Sequence, residues 1–153
     1  MTIAQLDDIA VKRLCNGIQE AVDWIQLGRV YCHEIDDLID EDLPKALRQR
    51  GAQRACRIGA MAIDLYTHPF FLKNMATLKA AMKTCTHQYA ESVAWEESQV
   101  EWQKNYADWA RHSWLDVCLT VAEICGGWDH RVSVAEELRT VSYVDHHEEG
   151  KPT

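Results

Sequence analysis

The densest group of charged side chains lies in the stretch "YCHEIDDLIDEDLP", residues 31–44. Six acidic side chains occupy the nine positions from Glu34 to Asp42. Like charges three and four positions apart on a helix repel each other by a few tenths of a kcal/mol, about 0.2–0.5 per pair. Such crowding is explained if a positive group binds among the acids. The alternative is a solvated acidic face that binds nothing.

The acids of this stretch separate into two sets on a helical projection. Asp36, Asp37 and Asp40 share one face with His33, because successive helical residues turn by about 100°. Asp36 and Asp40 are one turn apart, so both carboxylates can hold one hard cation. Mg²⁺ binds through one or two carboxylates, several waters and substrate phosphates. The spacing therefore predicts a Mg²⁺ (or Mn²⁺) site at these three aspartates.

A second set of polar side chains recurs every four residues in "QKNYADWARHSWLDVCLTVAEICGG": Asp108, His112 and Asp116. Apolar residues surround Asp116 and Glu123, which predicts that both acids lie near the interior, where a carboxylate needs a partner. We expect Asp116, with Asp108, to complete the metal site from a facing helix, and His112 to shuttle a proton. The alternatives are that Asp108 faces water and that Glu123 pairs with an arginine or lysine from another helix.

A basic stripe follows the acids, with Arg50, Arg54 and Arg57 at an i, i+4, i+7 spacing. Guanidinium groups match phosphate oxygens through their fork geometry. An acidic metal site beside an arginine stripe is the arrangement that a Mg²⁺–diphosphate complex needs. The alternative is that these arginines form salt bridges within the chain with the acids at 34–42.

Helical periodicity predicts the elements that must position these side chains. Only three prolines and seven glycines interrupt 153 residues, which favours long helices. The predicted helices span residues 4–27, 29–41, 42–66 with Asp42 as cap and Pro44 in the first turn, 67–95, 98–125 and 132–143. In the fifth, Ser98 and Glu101 have capping-box spacing, and Gly126-Gly127 ends it. The sequence therefore predicts one all-α bundle of about six helices over residues 1–145, with a polar tail at 146–153.

The composition limits the kinds of partner that the protein is expected to bind. A net charge of −8 disfavours nucleic acid and anionic membranes, and no apolar run is long enough to span a membrane. The six cysteines form no CxxC pair, which favours reduced thiols buried as small apolar groups in a cytoplasmic protein.

The segment "EIDDLIDEDLPKALRQRG" resembles the first aspartate-rich motif of class I isoprenoid synthases, the polyprenyl, squalene and phytoene synthases. Asp36, Asp37 and Asp40 match its DDxxD, and Arg48, Arg50 and Gly51 stand about where that family carries a basic motif. The resemblance covers residues 20–70. It implies Mg²⁺ held between facing helices and a diphosphate substrate, with the second metal motif at Asp116, Asp108 and His112.

The chain is also similar to the all-α nucleotide pyrophosphohydrolases of the MazG and dimeric dUTPase kind. Those small helical proteins assemble Mg²⁺ sites from acidic ExxE and ExxD pairs. Here "DDLID" supplies a DxxD, and "WLDVCLTVAEICGG" resembles their acidic-apolar second helix. This resemblance also implies a diphosphate-containing substrate.

Two functions follow from the sequence. The first is a Mg²⁺-dependent helical-bundle enzyme, a transferase or hydrolase, acting on a diphosphate substrate. The second is a non-catalytic helical interaction module, with homo-oligomers included, whose acidic face is solvated or binds a basic partner. In that case the tryptophan-rich helix 98–125 supplies the interface, because tryptophan is a frequent binding hot spot.

Overall fold

The computed structural model describes residues 8–40 and 48–148, with backbone only at residues 40, 48–50 and 140–148. Within these ranges the chain forms seven α-helices and no strand, which confirms the all-α prediction. The helices are α1 (Asp8–Leu14), α2 (Gln19–Asp40), α3 (Arg48–Thr67), α4 (Pro69–Lys73), α5 (Met75–Trp95), α6 (Glu101–Ala110) and α7 (Trp114–Glu148). The predicted cap at Asp42 and restart at Pro44 lie outside the described residues.

A tight turn separates α1 from α2, where the sequence predicted one helix over 4–27. Asn16 and Gly17 adopt positive φ angles of 49° and 74°. The Gly17 amide donates to the Lys12 carbonyl and the Asn16 amide donates to the Arg13 carbonyl, both at 3.0 Å. These two bonds form a Schellman motif, which satisfies the last carbonyls of α1. Asparagine followed by glycine is the sequence signal for this turn.

Helix α2 continues through Gly28, where the sequence predicted an end or a bend. A Cβ atom at Gly28 would overlap the indole ring of Trp114 in α7. Glycine is therefore present because two helices approach closely there, and the α2 backbone remains helical.

The core is centred on Trp24 of α2, which is fully buried. Its ring lies 5.9 Å from Phe70, 6.1 Å from Phe71 and 5.9 Å from Trp114, measured between centroids. Its indole N–H donates to the Leu65 carbonyl at 3.0 Å. A buried indole usually finds such a partner. One residue thereby joins α2, α3, α4 and α7.

The predicted helix 67–95 is two helices, of which the first, α4, starts at Pro69 and is short. His68 caps α4, because its Nδ1 accepts the Phe70 amide at 3.2 Å, and Pro69 occupies the first turn. The chain leaves helical geometry at Asn74, whose side chain donates to the Phe70 carbonyl at 2.9 Å. Helix α5 then begins at Met75.

The predicted helix 98–125 is two helices, α6 and α7, separated by a turn over residues 111–113. The Ser113 hydroxyl donates to the Cys85 carbonyl of α5 at 3.2 Å. Ser113 and Asp116 have the spacing of a capping box, which is the sequence signal for this second start. The predicted capping box at Ser98 and Glu101 is wrong, because α6 begins at Glu101 with Val100 as its N-cap. The Ser98 hydroxyl instead accepts the Val100 amide in the preceding turn, at 3.1 Å.

Gly127 divides α7 into two halves that pack back on each other. Its φ of 78° and ψ of −175° are not helical, and such angles are readily adopted only by glycine. The second half begins directly after Gly127, not at 132 as predicted, and continues to Glu148. Its His130 Nε2 donates to the Leu14 carbonyl at 3.0 Å, so the returning half also contacts α1.

Candidate functional site

Two arginines of α3 form ion pairs with acidic residues of α2. Glu34 is buried, and its Oε1 lies 3.0 Å from Nη2 of Arg57. Its Oε2 lies 3.5 Å from Nε of Arg54. Arg54 also reaches Asp37, with 3.4 Å between Nη2 and Oδ2. We call Glu34, Asp37, Arg54 and Arg57 the acid–arginine junction.

Asp36 points to a different helix from Asp37. The Tyr89 hydroxyl of α5 donates to Oδ1 of Asp36 at 2.6 Å. Asp37 contacts α3 through Arg54 and lies near His33, with 3.8 Å between Nδ1 and Oδ1. The neighbouring aspartates thus have separate partners. The side chains of Asp40 and Arg50 lie outside the described part of the structure.

The second predicted set of acids is also paired within the chain. Arg139 Nη2 donates to Oδ1 of Asp116 at 2.8 Å, and Asp116 is half-buried at the surface between the two halves of α7. Glu123 is exposed, so the prediction that it lies near the interior is wrong. It pairs at 3.3 Å with Arg131 across the kink at Gly127, which is the alternative expected for this residue.

The remaining members of that set lie at the end of α6. His112 Nδ1 is 3.0 Å from the Asp108 carbonyl oxygen. Asp108 itself has an exposed side chain. Among residues whose side chains are described, no three His, Cys, Asp or Glu side chains converge to hold a metal ion.

The interior between α2, α5 and α7 contains thiols. Burial raises the pKa of Cys32, and the neighbouring Cys85 and Asp36 raise it further. Burial also raises the pKa of Cys85, although a hydrogen bond from Ser113 lowers it and the charge of Asp116 raises it. These thiols are therefore protonated at neutral pH and are poor nucleophiles or metal ligands. The prediction that all six cysteines are buried is wrong for Cys56, which is exposed.

Four aromatic side chains form a contiguous cluster on the outside of α5 and α6. The centroid of Trp95 lies 5.5 Å from that of Trp102 and 5.4 Å from that of Tyr106. Tyr106 in turn lies 5.8 Å from Trp109. Trp102 is 61% exposed and Trp109 is 48% exposed. We call Trp95, Trp102, Tyr106 and Trp109 the aromatic surface.

A carboxylate is attached to this aromatic surface. The Tyr106 hydroxyl donates to Oε2 of Glu91 at 2.6 Å. That hydrogen bond, with smaller contributions from burial and the Glu91 charge, raises the pKa of Tyr106. The rings are thus fixed by contacts with each other and by a hydrogen bond to α5.

Sequence reasoning missed Glu34, Tyr89 and Glu91. Glu34 lies off the face shared by the three aspartates, so the spacing gave no reason to select it. Its arginine partners are about twenty positions away in the sequence, and only helix packing brings them together. Tyr89 and Glu91 carry no motif.

No protein-family model, curated protein or solved structure matches this chain. In the part of the chain that the structure describes, every helix is too short or too polar to cross a membrane.

Proposed function

We propose that this protein is a non-catalytic helical interaction module that binds a protein partner through the aromatic surface. The observation that carries the proposal is the exposure of Trp102 and Trp109 within one continuous set of ring contacts. Exposed apolar residues scattered singly are normal, whereas a contiguous patch is typical of a binding site. Trp and Tyr are also the residues that most often dominate binding energy.

The order already present in the cluster favours binding. Trp95 and Tyr106 are half-buried and support the two exposed indoles. Side chains that are fixed before binding lose little conformational entropy when a partner arrives. The aromatic surface can therefore contribute its apolar area at a low ordering cost.

The charged groups give less support to catalysis. Arg54 and Arg57 interact with Glu34 and Asp37. Binding a diphosphate there would require these ion pairs to be exchanged for new ones. Since Glu34 is buried, leaving its carboxylate without a cation would cost free energy.

The test is a selection of random peptides from a display library against the immobilised full-length protein. Peptides that bind are synthesised and their dissociation constants measured for wild type and for Trp102→Ser/Trp109→Ser. Loss of two hot-spot residues should weaken binding about 30-fold or more, from a loss of at least about 2 kcal/mol. Circular dichroism verifies that the variant remains folded.

Trp128→Ser is the matched control. Trp128 is 65% exposed on α7, outside the aromatic surface, so its removal should leave the dissociation constants unchanged. The proposal is wrong if every selected peptide binds wild type and Trp102→Ser/Trp109→Ser equally well and these tryptophans mediate no self-association in sedimentation experiments.

The Mg²⁺-dependent enzyme is the second candidate. Its support is that Asp36 and Asp37 are consecutive in α2 and that Arg54 lies beside Asp37, although the two carboxylates contact different helices. In this proposal Asp36, Asp37 and Asp40 hold the metal. The other groups complete the site, namely Asp108 and Asp116 as further ligands, Arg50, Arg54 and Arg57 at the diphosphate, and His112 as the proton carrier.

Thermal unfolding with Mg²⁺ or Mn²⁺, with and without pyrophosphate, tests this candidate. A metal site stabilises the folded state by mass action. Wild type should then gain stability while Asp36→Asn/Asp40→Asn does not. An equal shift in both proteins, or no shift in either, contradicts the candidate.

A further inference from the structure

The aromatic surface lies in the middle of an acidic part of the chain. Residues 91–111 contain five acidic and two basic side chains, a net charge of −3. They are Glu91, Glu96, Glu97, Glu101 and Asp108 against Lys104 and Arg111. All five acids are exposed. A partner that covers the rings must therefore approach through a negative rim.

Internal pairing neutralises only part of this rim. Arg111 Nη2 lies 2.6 Å from Oε2 of Glu96, so that pair is satisfied within the chain. No side-chain cation in the described part of the chain forms an ion pair with Glu97 or Glu101. Glu97 lies in the turn between α5 and α6, and Glu101 directly precedes Trp102 in the first turn of α6. Both acids therefore leave negative charge at the N-terminal end of the helix that carries the exposed indoles.

The rings themselves favour positive charge. The face of an aromatic ring is electrostatically negative and attracts Lys ammonium and Arg guanidinium groups, tryptophan most strongly. Glu91 adds a carboxylate beside Tyr106, whose hydroxyl it accepts. Indole faces and carboxylates thus both favour a positively charged ligand.

Other occupants are disfavoured by the same charges. A second copy of this chain would bring an equally acidic surface against the first, with a net charge of −8 on each whole chain. Nucleic acid and anionic lipid would also be repelled. A neutral apolar partner would remove water from Glu97 and Glu101 without replacing it by a counter-charge.

We infer that the partner bound by the aromatic surface is a basic protein segment, with Lys or Arg side chains over Trp102 and Trp109 and against the acidic rim. The segment supplies apolar stems for the rings and cationic ends for the carboxylates. This inference rests on the proposed function, because it specifies the partner of the same surface.

Three synthetic peptides of equal length and equal apolar content test the inference. One carries Lys and Arg, one carries Gln and one carries Glu at the same polar positions. Fluorescence anisotropy measures each dissociation constant with the full-length protein. The basic peptide should bind at least tenfold more tightly than the Gln peptide, and the difference should shrink as salt screens the charges.

Two charge variants show whether the rim is responsible. Glu97→Gln/Glu101→Gln should weaken the basic peptide about fivefold to tenfold. Asp129→Asn/Glu136→Gln removes the same number of exposed charges from α7 and should change the constant less than twofold. Equal losses in both variants would mean that only the overall charge attracts the peptide, and the inference would be wrong.

The library selection separates this inference from the proposed function. If the peptides that depend on Trp102 and Trp109 are neutral or acidic, the partner is not basic but the interaction module stands. The same holds if the surface mediates self-association in sedimentation experiments. If no peptide depends on these tryptophans and no self-association occurs, both proposals are wrong.

Discussion

The acid–arginine junction and the aromatic surface carry the two most conspicuous groups of side chains in this sequence, and the fold treats them in opposite ways. At the junction, Arg54 and Arg57 approach the carboxylates of Glu34 and Asp37. At the aromatic surface, Trp102 and Trp109 project toward solvent. A run of charges in a sequence can thus serve the fold internally, while apolar rings remain available to a partner.

The two regions differ in whether their side chains contribute mainly to folding stability or to binding a partner. Ion pairs with a buried member stabilise α2 against α3, since breaking them would leave a charge in the interior. Exposed indoles contribute less to folding because about half of their area stays in water, 61% for Trp102 and 48% for Trp109. The junction should therefore respond to substitution in stability, and the aromatic surface should respond in binding.

Alkaline pH should produce the largest effect, through the thiols of the core. Burial raises the pKa of Cys15 to about 12 and that of Cys125 to about 11, and it also raises those of Cys32, Cys85 and Cys118. Unfolded thiols ionise near 9.0, so the unfolded state loses protons first. Their stabilisation is fully present below pH 9 and decreases as pH rises toward the folded values, by up to about 1.4 kcal/mol per unit for each thiol.

Urea unfolding at a series of pH values from 8 to 11 measures this loss. Cys56→Ser provides the control, because Cys56 is exposed and its replacement should leave the pH dependence unchanged. Constant stability up to pH 11 would contradict the burial of the thiols.

At the aromatic surface, Glu91→Gln should lower the pKa of Tyr106, as followed by phenolate absorbance, without moving the unfolding transition.

Gly28→Ala should cause the next largest loss, although it touches neither region. The added methyl group overlaps the ring of Trp114, which is buried and cannot retreat. We expect a destabilisation of about 2–4 kcal/mol in urea unfolding. Gly59→Ala is the matched control, since nothing surrounds a Cβ at Gly59 in α3. It should stabilise the protein by about 0.5–1 kcal/mol. If both variants change the stability equally, α2 and α7 do not approach each other as closely at Gly28 as the structure shows.

Arg54→Met/Arg57→Met tests the junction directly. It leaves Glu34 buried without a cation and should cost about 2–3 kcal/mol, less than for a fully buried pair because Arg57 is largely exposed. Adding Glu34→Gln should recover part of the loss, since the orphan charge disappears. Arg139→Met removes a pair at the surface and should cost less than about 1 kcal/mol. Equal losses in the two arginine variants would show that burial of Glu34 has no influence.

Trp102→Ser/Trp109→Ser should have the smallest effect on stability. Two ring contacts are lost, with Trp95 and with Tyr106, worth about 0.5–1.5 kcal/mol each at most and less when exposed. Calorimetric unfolding should show a loss near 1 kcal/mol, beside almost none for Trp128→Ser. A loss above 3 kcal/mol would mean that these rings hold α5 and α6 together, and the contrast with the junction would disappear.

Local sequence rules predicted the helices well where one residue decides the outcome. Pro69 begins a helix as expected, and Gly127 interrupts one. The rules were wrong at Gly28, because the reason for glycine there is a ring from α7, about ninety positions away. They also missed the breaks at Asn16 and Ser113, where the helical apolar pattern continues across a turn.

The sites were less predictable because they depend on which helix faces which. The spacing of Arg54 and Arg57 predicted a stripe and left open whether it meets a ligand or another helix. In the structure both arginines contact another helix, where they pair with Glu34, a residue that no motif selected. Similarly, the tryptophans of 98–125 were expected at an interface, but the cluster also needs Trp95 from α5.

The bend at Gly127 has a consequence for the order in which the chain folds. It directs the second half of α7 onto α1, where His130 and Leu14 are joined across 116 positions. Asn16 and Cys125 are joined across 109. Contacts between α5 and α6 close short loops, and local contacts form faster than distant ones. We therefore expect the surface proposed for binding to assemble early, and the contact between α1 and α7 to form late.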